Sequence, residues 1–354
     1  MKAQLVAGAA RLVFPRARLD ARPGQRLVLG DGEWAGLVAH RPDNDEMQRT
    51  SAVVIGIAVL VAAAIIGFLL LGRPSQPSDE GGAGTSGTAQ PSAAASVDAG
   101  LADKRWTVLY VGTDLNAERE ADGQAPNTDA LMLVSLSADQ SELTLVSLPR
   151  DTVDLPLPDG GTYEHKINAL YAEQGVDALV GAMETLYGVP IDAHVVLDMD
   201  DFAALVDAVG GLEVSPEDPL TDPKVDLDLE AGAQTLDAPT TLSYVRTRVD
   251  EDYGRMARQQ EVLVALVARL VDPATDVDLR GLLDGLDSLE TDLPLDQLGT
   301  LAELARRAGE AQVNEIVIGP PLITFEGDRG DGRGYVLEAD VEAIREAVQS
   351  AIGD

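Results

Sequence analysis

The chain of 354 residues carries 26 Lys and Arg against 60 Asp and Glu, a formal net charge of −34, and it has no cysteine. Without cysteine there is no disulfide, no thiolate metal site and no thiol nucleophile, and a field this negative excludes a nucleic-acid partner. The charge balance is +2 in residues 1–50 and −2 in residues 51–100, so the whole excess falls in 101–354, where most of it serves solubility or adaptation to salt.

Residues 1–50 hold only short apolar runs (RLVLG, WAGLVAH), too little for a core, and read as a tail or a small partner-binding element. The next segment, SAVVIGIAVLVAAAIIGFLLL, has no charge and is flanked by Arg49 and Arg73. At ~1.5 Å per residue it spans a hydrocarbon core of roughly 30 Å. A signal peptide is its rival, but such apolar regions run only about 7–15 residues and start near the N-terminus. The arginines of 1–50 set that segment in the cytoplasm by the positive-inside rule. The expected organisation is therefore a cytoplasmic segment (1–50), one transmembrane helix (51–72), a Gly/Ser/Pro-rich flexible linker (73–103) and one extracytoplasmic domain (104–354).

Within that domain WTVLYVGT (106–113), ALMLVSLS (130–137) and LTLVSLP (143–149) have strand length, the last two joined through a four-residue hairpin loop, DQSE. Helices are expected over about 167–188, a strand at 194–199, a glycine-closed helix at 200–211 and a strand at 212–215. YVRTR (244–248) is read as extended, followed by a helix over 253–271 and further helices near 294–308 and 339–352. Alternating strands and helices predict an α/β domain.

Four arginines, Arg246, Arg248, Arg255 and Arg258, fall within thirteen residues of this acidic domain. Projected at 100° per residue, Arg255 and Gln259 share the stripe of Val262, Leu263, Leu266, Val267 and Leu270, with Arg258 at its edge. Either these groups face a ligand, or Arg255 and Arg258 pair with Asp250, Glu251 or Asp252 at the surface. Alternation in an extended YVRTR would put Arg246 and Arg248 on one face, suited to phosphate oxygens or to two salt bridges. Asp114 and Asp129, at the ends of apolar runs, are either turn formers or a carboxylate pair sharing a hard cation. Arg150 and Asp151 end one strand and Lys166 precedes a helix, each unremarkable alone.

VGTD (111–114), NTDALMLVSL (127–136), SLPRDT (147–152), HKINALY (165–171), IDAHVVLDMDDFAALVDAVGGLEV (191–214) and YVRTR…YGRMARQQ (244–260) occur in that order. This set resembles the LytR-CpsA-Psr family of bacterial cell-membrane enzymes of wall assembly. The resemblance implies an α-β-α sandwich with a central mixed sheet, and phosphotransfer of a glycan from a polyprenyl-pyrophosphate carrier to a peptidoglycan sugar hydroxyl. By motif, Asp114 and Asp129 would hold Mg²⁺, with Mn²⁺ as a substitute. Asp114, Arg150, Asp151, Arg246 and Arg248 would form the catalytic set, with Asp114 as the carboxylate near the acceptor. Arg150, Lys166, Arg246, Arg248, Arg255, Arg258 and Gln259 would bind pyrophosphate. The prenyl tail would enter an apolar channel whose lining the sequence does not assign. Two departures stand out: Asn127, and Leu115-Asn116, occupy positions where many relatives carry arginine. Alternatives are a non-catalytic envelope regulator acting through 1–50, and a pyrophosphatase releasing the carrier.

Overall fold

The computed structural model describes residues 104–353 apart from 273, 279–288, 295–296 and 309–310, together with a short strand pair, Leu12–Phe14 and Ala17–Leu19. The expected spanning helix 51–72 and linker 73–103 lie outside the described residues. Among the described residues no helix is long and apolar enough to cross a membrane.

The three apolar runs form β1 (Trp106–Thr113), β2 (Thr128–Leu136) and β3 (Glu142–Ser147). They are largely apolar because both faces of the sheet are covered. With β7 (Ala193–Leu197), β12 (Glu290–Thr291) and β13 (Gln312–Val317) they make a six-stranded sheet in the order β12-β7-β1-β2-β3-β13. Pairs β7/β1 and β3/β13 are parallel and the others antiparallel, so the sheet is mixed. The hairpin loop between β2 and β3 covers 137–141, five residues where four were expected.

Side-chain alternation along β1 feeds two cores. Val108 and Tyr110 join one with α4 (Met199–Ala208), α5 (Ala238–Arg246), α6 (Glu251–Val271) and α7 (Leu298–Ala308). Leu109 and Val111 join the other with α2 (Leu170–Gln174), α3 (Val176–Tyr187) and α8 (Val341–Ile352). The result is an α-β-α sandwich with a central mixed sheet. A second sheet sets β4 (Thr152–Val153) parallel to β15 (Tyr335–Ala339), which pairs antiparallel with β14 (Ile323–Asp328). Ladders Leu155–Pro156 with Thr162–Tyr163 (β5, β6), Leu212–Val214 with Gln234–Leu236 (β8, β11), and Leu220–Asp222 with Leu227–Leu229 (β9, β10) complete the strands. The glycine closure of α4 holds: Gly211 has φ 92°, and a Cβ there would lie 2.7 Å from the Leu236 carbonyl oxygen.

One expected element is different. YVRTR is not extended, because Tyr244, Val245 and Arg246 are the last residues of α5. The Asp237 side chain caps that helix by accepting from the Thr240 N–H at 3.0 Å, and Pro239 sits in its first turn. Thr247 then leaves the helix with φ −60° and ψ 146°, its hydroxyl donating to Asp222 Oδ2 at 2.7 Å. Arg246 and Arg248 therefore do not share a face by strand alternation. One is on a helix end and the other on the loop after it.

Candidate active site

The site gathers at the C-terminal end of β1 and the start of β2, where the ladder is irregular. Gly112 pairs with Ala130 but Thr113 pairs with Thr128, which leaves Asp129 as the extra residue of a β-bulge. A bulge re-aims the side chains around it. Here the neighbours Asp129 and Ala130 both line the same pocket, which strict alternation would forbid. The ladder resumes beyond the bulge, the Asp114 N–H donating to the Asn127 carbonyl at 2.9 Å.

Both carboxylates are held. Asp114 Oδ1 accepts from the Asn127 N–H at 2.9 Å, and Oδ2 accepts from Asn127 Nδ2 at 3.3 Å and pairs with Arg119 at 3.0 Å. Asn127 thus supplies two donors where an arginine is expected in relatives. Arg119 comes from α1 (Ala117–Ala121), whose cap Asn116 accepts from the Arg119 N–H at 2.9 Å. The Ala117 N–H donates to Asp200 Oδ2 at 2.7 Å, tying α1 to the first turn of α4. Sequence reading missed Arg119. It is the only basic residue between Arg105 and Arg150, and that isolation was the available signal.

The Asp129 carboxylate accepts from Arg150, and the Asp129 carbonyl accepts from Arg255 Nη1 at 2.6 Å. Arg150 Nε is buried with no hydrogen-bond partner among the described residues. Asp151 pairs with Lys166 at 3.0 Å, and the Arg150 carbonyl accepts from the Asn168 N–H at 3.2 Å, so the two separate sequence signals meet.

Arg255 is only 2 % exposed, and its fork grips Asp252 through Nε at 2.9 Å and Nη2 at 3.2 Å. Arg248 Nε lies 3.4 Å from the same carboxylate. Burial alone would raise the Asp252 pKa, but the hydrogen bond from Arg255 and the charges of Arg255, Arg248 and Arg150 outweigh it and hold the pKa low. Conversely the Arg150 pKa is lowered, first by burial and then by the charges of Arg248 and Arg255. Three guanidiniums thus repel one another, with Asp252 shared by Arg248 and Arg255 and Asp129 held by Arg150, an arrangement that favours a compact anion.

Arg258 makes the ion pair with Asp250 that was the other reading of the sequence. It is 6 % exposed and donates to the Tyr244 carbonyl at 2.9 Å, the Thr247 carbonyl at 2.6 Å and Asp250 at 2.6 Å. Its guanidinium is committed to the corner between α5 and α6. Gln260, which sequence reading passed over, is equally structural: its Nε2 bridges Ser147 Oγ at 2.8 Å and the Ile316 carbonyl at 2.9 Å, joining α6 to β3 and β13.

Between the sheet and helices α4, α5 and α6 lies a pocket with about 580 Å³ of empty space, counting the part open to solvent. Thr113, Asp129, Asp198, Arg246 and Gln259 contribute polar lining, while Phe202, Leu242, Val245, Val262 and Leu263 contribute much of its apolar lining. Arg246 is exposed there and makes no ion pair among the described residues. Gln259 reaches the Val245 carbonyl at 3.3 Å. None of the apolar lining was assigned from sequence, because these residues are indistinguishable from core by pattern.

Asp114, just past the end of β1, and Asp129, in β2, are hard oxygen donors of the kind Mg²⁺ takes alongside waters and phosphate oxygens. A cation would compete there with Arg119 and Arg150. Among the described residues no three His, Cys, Asp or Glu side chains converge as a metal site.

The sequence model of the LytR_cpsA_psr family matches residues 79–347. The chain belongs to the LytR_cpsA_psr family. It is 30% identical over 260 residues to the probable cell wall biosynthesis protein LcpB of Corynebacterium glutamicum, covering 72% of this chain and 60% of that protein. It is 28% identical over 263 residues to TagU of Enterococcus faecalis, a polyisoprenyl-teichoic acid–peptidoglycan teichoic acid transferase, covering 72% of this chain and 82% of that one. The match spans 60%, 57% and 44% of the lengths of LcpB, LcpA and Bacillus subtilis TagV. In three dimensions it is similar to the crystal structure of B. subtilis TagV, with a TM-score of 0.55 and 24% identity over 71% of this chain and 98% of that one. TagT bound to LIIa-WTA gives a TM-score of 0.55 at 22% identity, covering 72% of this chain and 93% of that one. These likenesses establish the LytR_cpsA_psr α/β fold with its mixed sheet.

Proposed function

We propose that this protein is a membrane-anchored phosphotransferase that moves a phosphoglycan from a polyprenyl-pyrophosphate carrier to a peptidoglycan sugar hydroxyl. The observation that carries this reading is the junction of two chemistries: an apolar pocket between sheet and helices, opening beside Asp129, Arg246 and Gln259. A prenyl chain suits the first and a pyrophosphate the second. The transferase names of the relatives support the same reading.

In the reaction the acceptor oxygen forms a bond to the glycan-side phosphorus, and the bond from that phosphorus to the bridging oxygen breaks. Prenyl phosphate leaves with the electron pair, and the hydroxyl proton passes to a site carboxylate or to solvent. Phosphoryl transfer of this kind depends on positioning and charge neutralisation more than on covalent help. Arg246 and Gln259 would orient the phosphate at the pocket mouth. Arg150, Arg248 and Arg255 would face the developing charge, and Lys166 would hold Asp151 and Arg150 in place. Mg²⁺ bound by Asp114 and Asp129 would supply further neutralisation of phosphate oxygens.

The test is product identification with the full-length protein in detergent, given a glycan-bearing polyprenyl pyrophosphate with and without a peptidoglycan acceptor. Acceptor-dependent glycan phosphate on the peptidoglycan is expected, falling at least about 100-fold in Arg248→Ala, the order of loss for removing one charge-stabilising donor. Release of free glycan phosphate irrespective of acceptor would instead make the protein a pyrophosphatase.

A further inference from the structure

The arginines are approached from two directions. The apolar pocket is built on Tyr110, Ala130, Leu197, Phe202, Val262 and Leu263, all members of the core that α4–α7 cover. On the opposite core stands the β14–β15 hairpin, in which Ile323 and Leu337 are buried, and Tyr253 packs against that same core. The second sheet brings this hairpin to the site, because the Leu337 N–H donates to the Asp151 carbonyl at 3.1 Å, next to the Asp151–Lys166 pair.

Tyr335, at the start of β15, is 54 % exposed, one of two large apolar side chains on the described surface that stand free to this degree. Its hydroxyl lies 3.4 Å from Glu326 Oε2. The other oxygen, Glu326 Oε1, accepts from the Tyr253 hydroxyl. The Tyr253 ring is fixed in turn by Gly319, where a Cβ would approach the ring to 3.0 Å. Partial burial, then the charges of Glu326, Glu251 and Asp151, raise the Tyr335 pKa, which sets these carboxylates within electrostatic reach of its ring. Tyr253 is one residue from Asp252, the carboxylate that Arg248 and Arg255 share.

We infer that Tyr335, with Tyr253 and Glu326, forms a saccharide subsite that seats the acceptor sugar for transfer. This rests on the transferase reading given above. In an in-line displacement the attacking and leaving oxygens lie on opposite sides of phosphorus. If the prenyl phosphate departs into the pocket on one side of the sheet, the acceptor must arrive from the other. That side offers the chemistry a sugar needs. An exposed ring stacks on the apolar C–H face of a pyranose, and a fixed carboxylate accepts from its hydroxyls. A neutral or N-acetylated hexosamine chain fits, whereas an anionic polymer is repelled by Glu326 and Glu251.

The experiment measures two affinities on the full-length protein in detergent: for a soluble β-1,4-linked N-acetylglucosamine tetramer, and for a polyprenyl pyrophosphate. Tyr335→Ala is expected to weaken the tetramer about tenfold, the size of one lost aromatic stacking contact, and to leave carrier affinity within about twofold. Tyr335→Phe keeps the ring and should keep the tetramer. Arg248→Ala should give the reverse pattern, weakening the carrier and not the tetramer. A Tyr335→Ala protein that binds the tetramer as the wild type does, or a wild type that binds none, overturns the subsite. Tetramer binding that needs Tyr335 in a protein that binds no polyprenyl pyrophosphate would uphold the subsite and sink the transferase reading.

Discussion

Asp252 is the residue on which the arginine cluster depends. Its carboxylate is the shared counter-charge of Arg248 and Arg255, and its pKa is held below the ordinary value because the hydrogen bond from Arg255 and the neighbouring positive charges outweigh burial. A carboxylate with a depressed folded-state pKa contributes stability that is complete above its unfolded pKa and is lost as pH falls through the folded one. Asp252→Asn should therefore lower the melting temperature at neutral pH, and the gap to wild type should close as pH falls below the ordinary carboxylate range. Thermal melts of both proteins across pH 2–8 check this. A gap that stays constant into acid would show that the charge on Asp252 is not what counts. Part of this cluster was readable in the sequence. Projection of a single helix correctly turned Arg255 inward, since α6 is long and its apolar stripe is unambiguous. Asp252 was visible as a possible partner of Arg255 and pairs with it one helical turn away; Arg119 was not visible, because it reaches Asp114 from a short helix that no periodicity marks.

At the scale of elements, the corner between α5 and α6 decides where the arginines point. Arg258 clamps it through two carbonyls, so truncation would leave both without a donor in a buried setting. Arg258→Ala should cost at least about 2 kcal/mol of stability, from the loss of those two hydrogen bonds, in chemical denaturation. Arg246→Ala, on an exposed helix end, should leave stability unchanged within about 0.5 kcal/mol and lower carrier binding. Equal stability losses would contradict the division of roles. The corner also explains why YVRTR misled. Val, Thr and alternating arginines suit a strand, but the Asp237 cap and Pro239 lie upstream of the motif and set the helix running through Arg246. The strands of the sheet were legible as apolar runs. The bulge at Asp129 was not, because register is a property of two strands and not of one.

Across the whole molecule, two cores on either face of one sheet make the site a boundary. One face supplies an apolar pocket, the other a tyrosine-bearing hairpin, and the strand ends between them carry the charged groups. The fold class followed from the alternation of strands and helices, and the order of six short motifs pointed to the family. The pocket lining could not follow, since Phe202, Leu242 and Leu263 would look the same in any packed interior. Around this site the domain is strongly acidic, so the field repels loosely charged polymers while a local ring of guanidiniums retains a small dense anion.

The most direct measurement is a crystal structure of the protein with a polyprenyl pyrophosphate bound. The prenyl chain should lie against Phe202, Val262 and Leu263, with phosphate oxygens within hydrogen-bonding distance of Arg246 and of at least one of Arg150, Arg248 and Arg255. A prenyl chain bound elsewhere, or phosphates that bypass the arginines, would contradict the account.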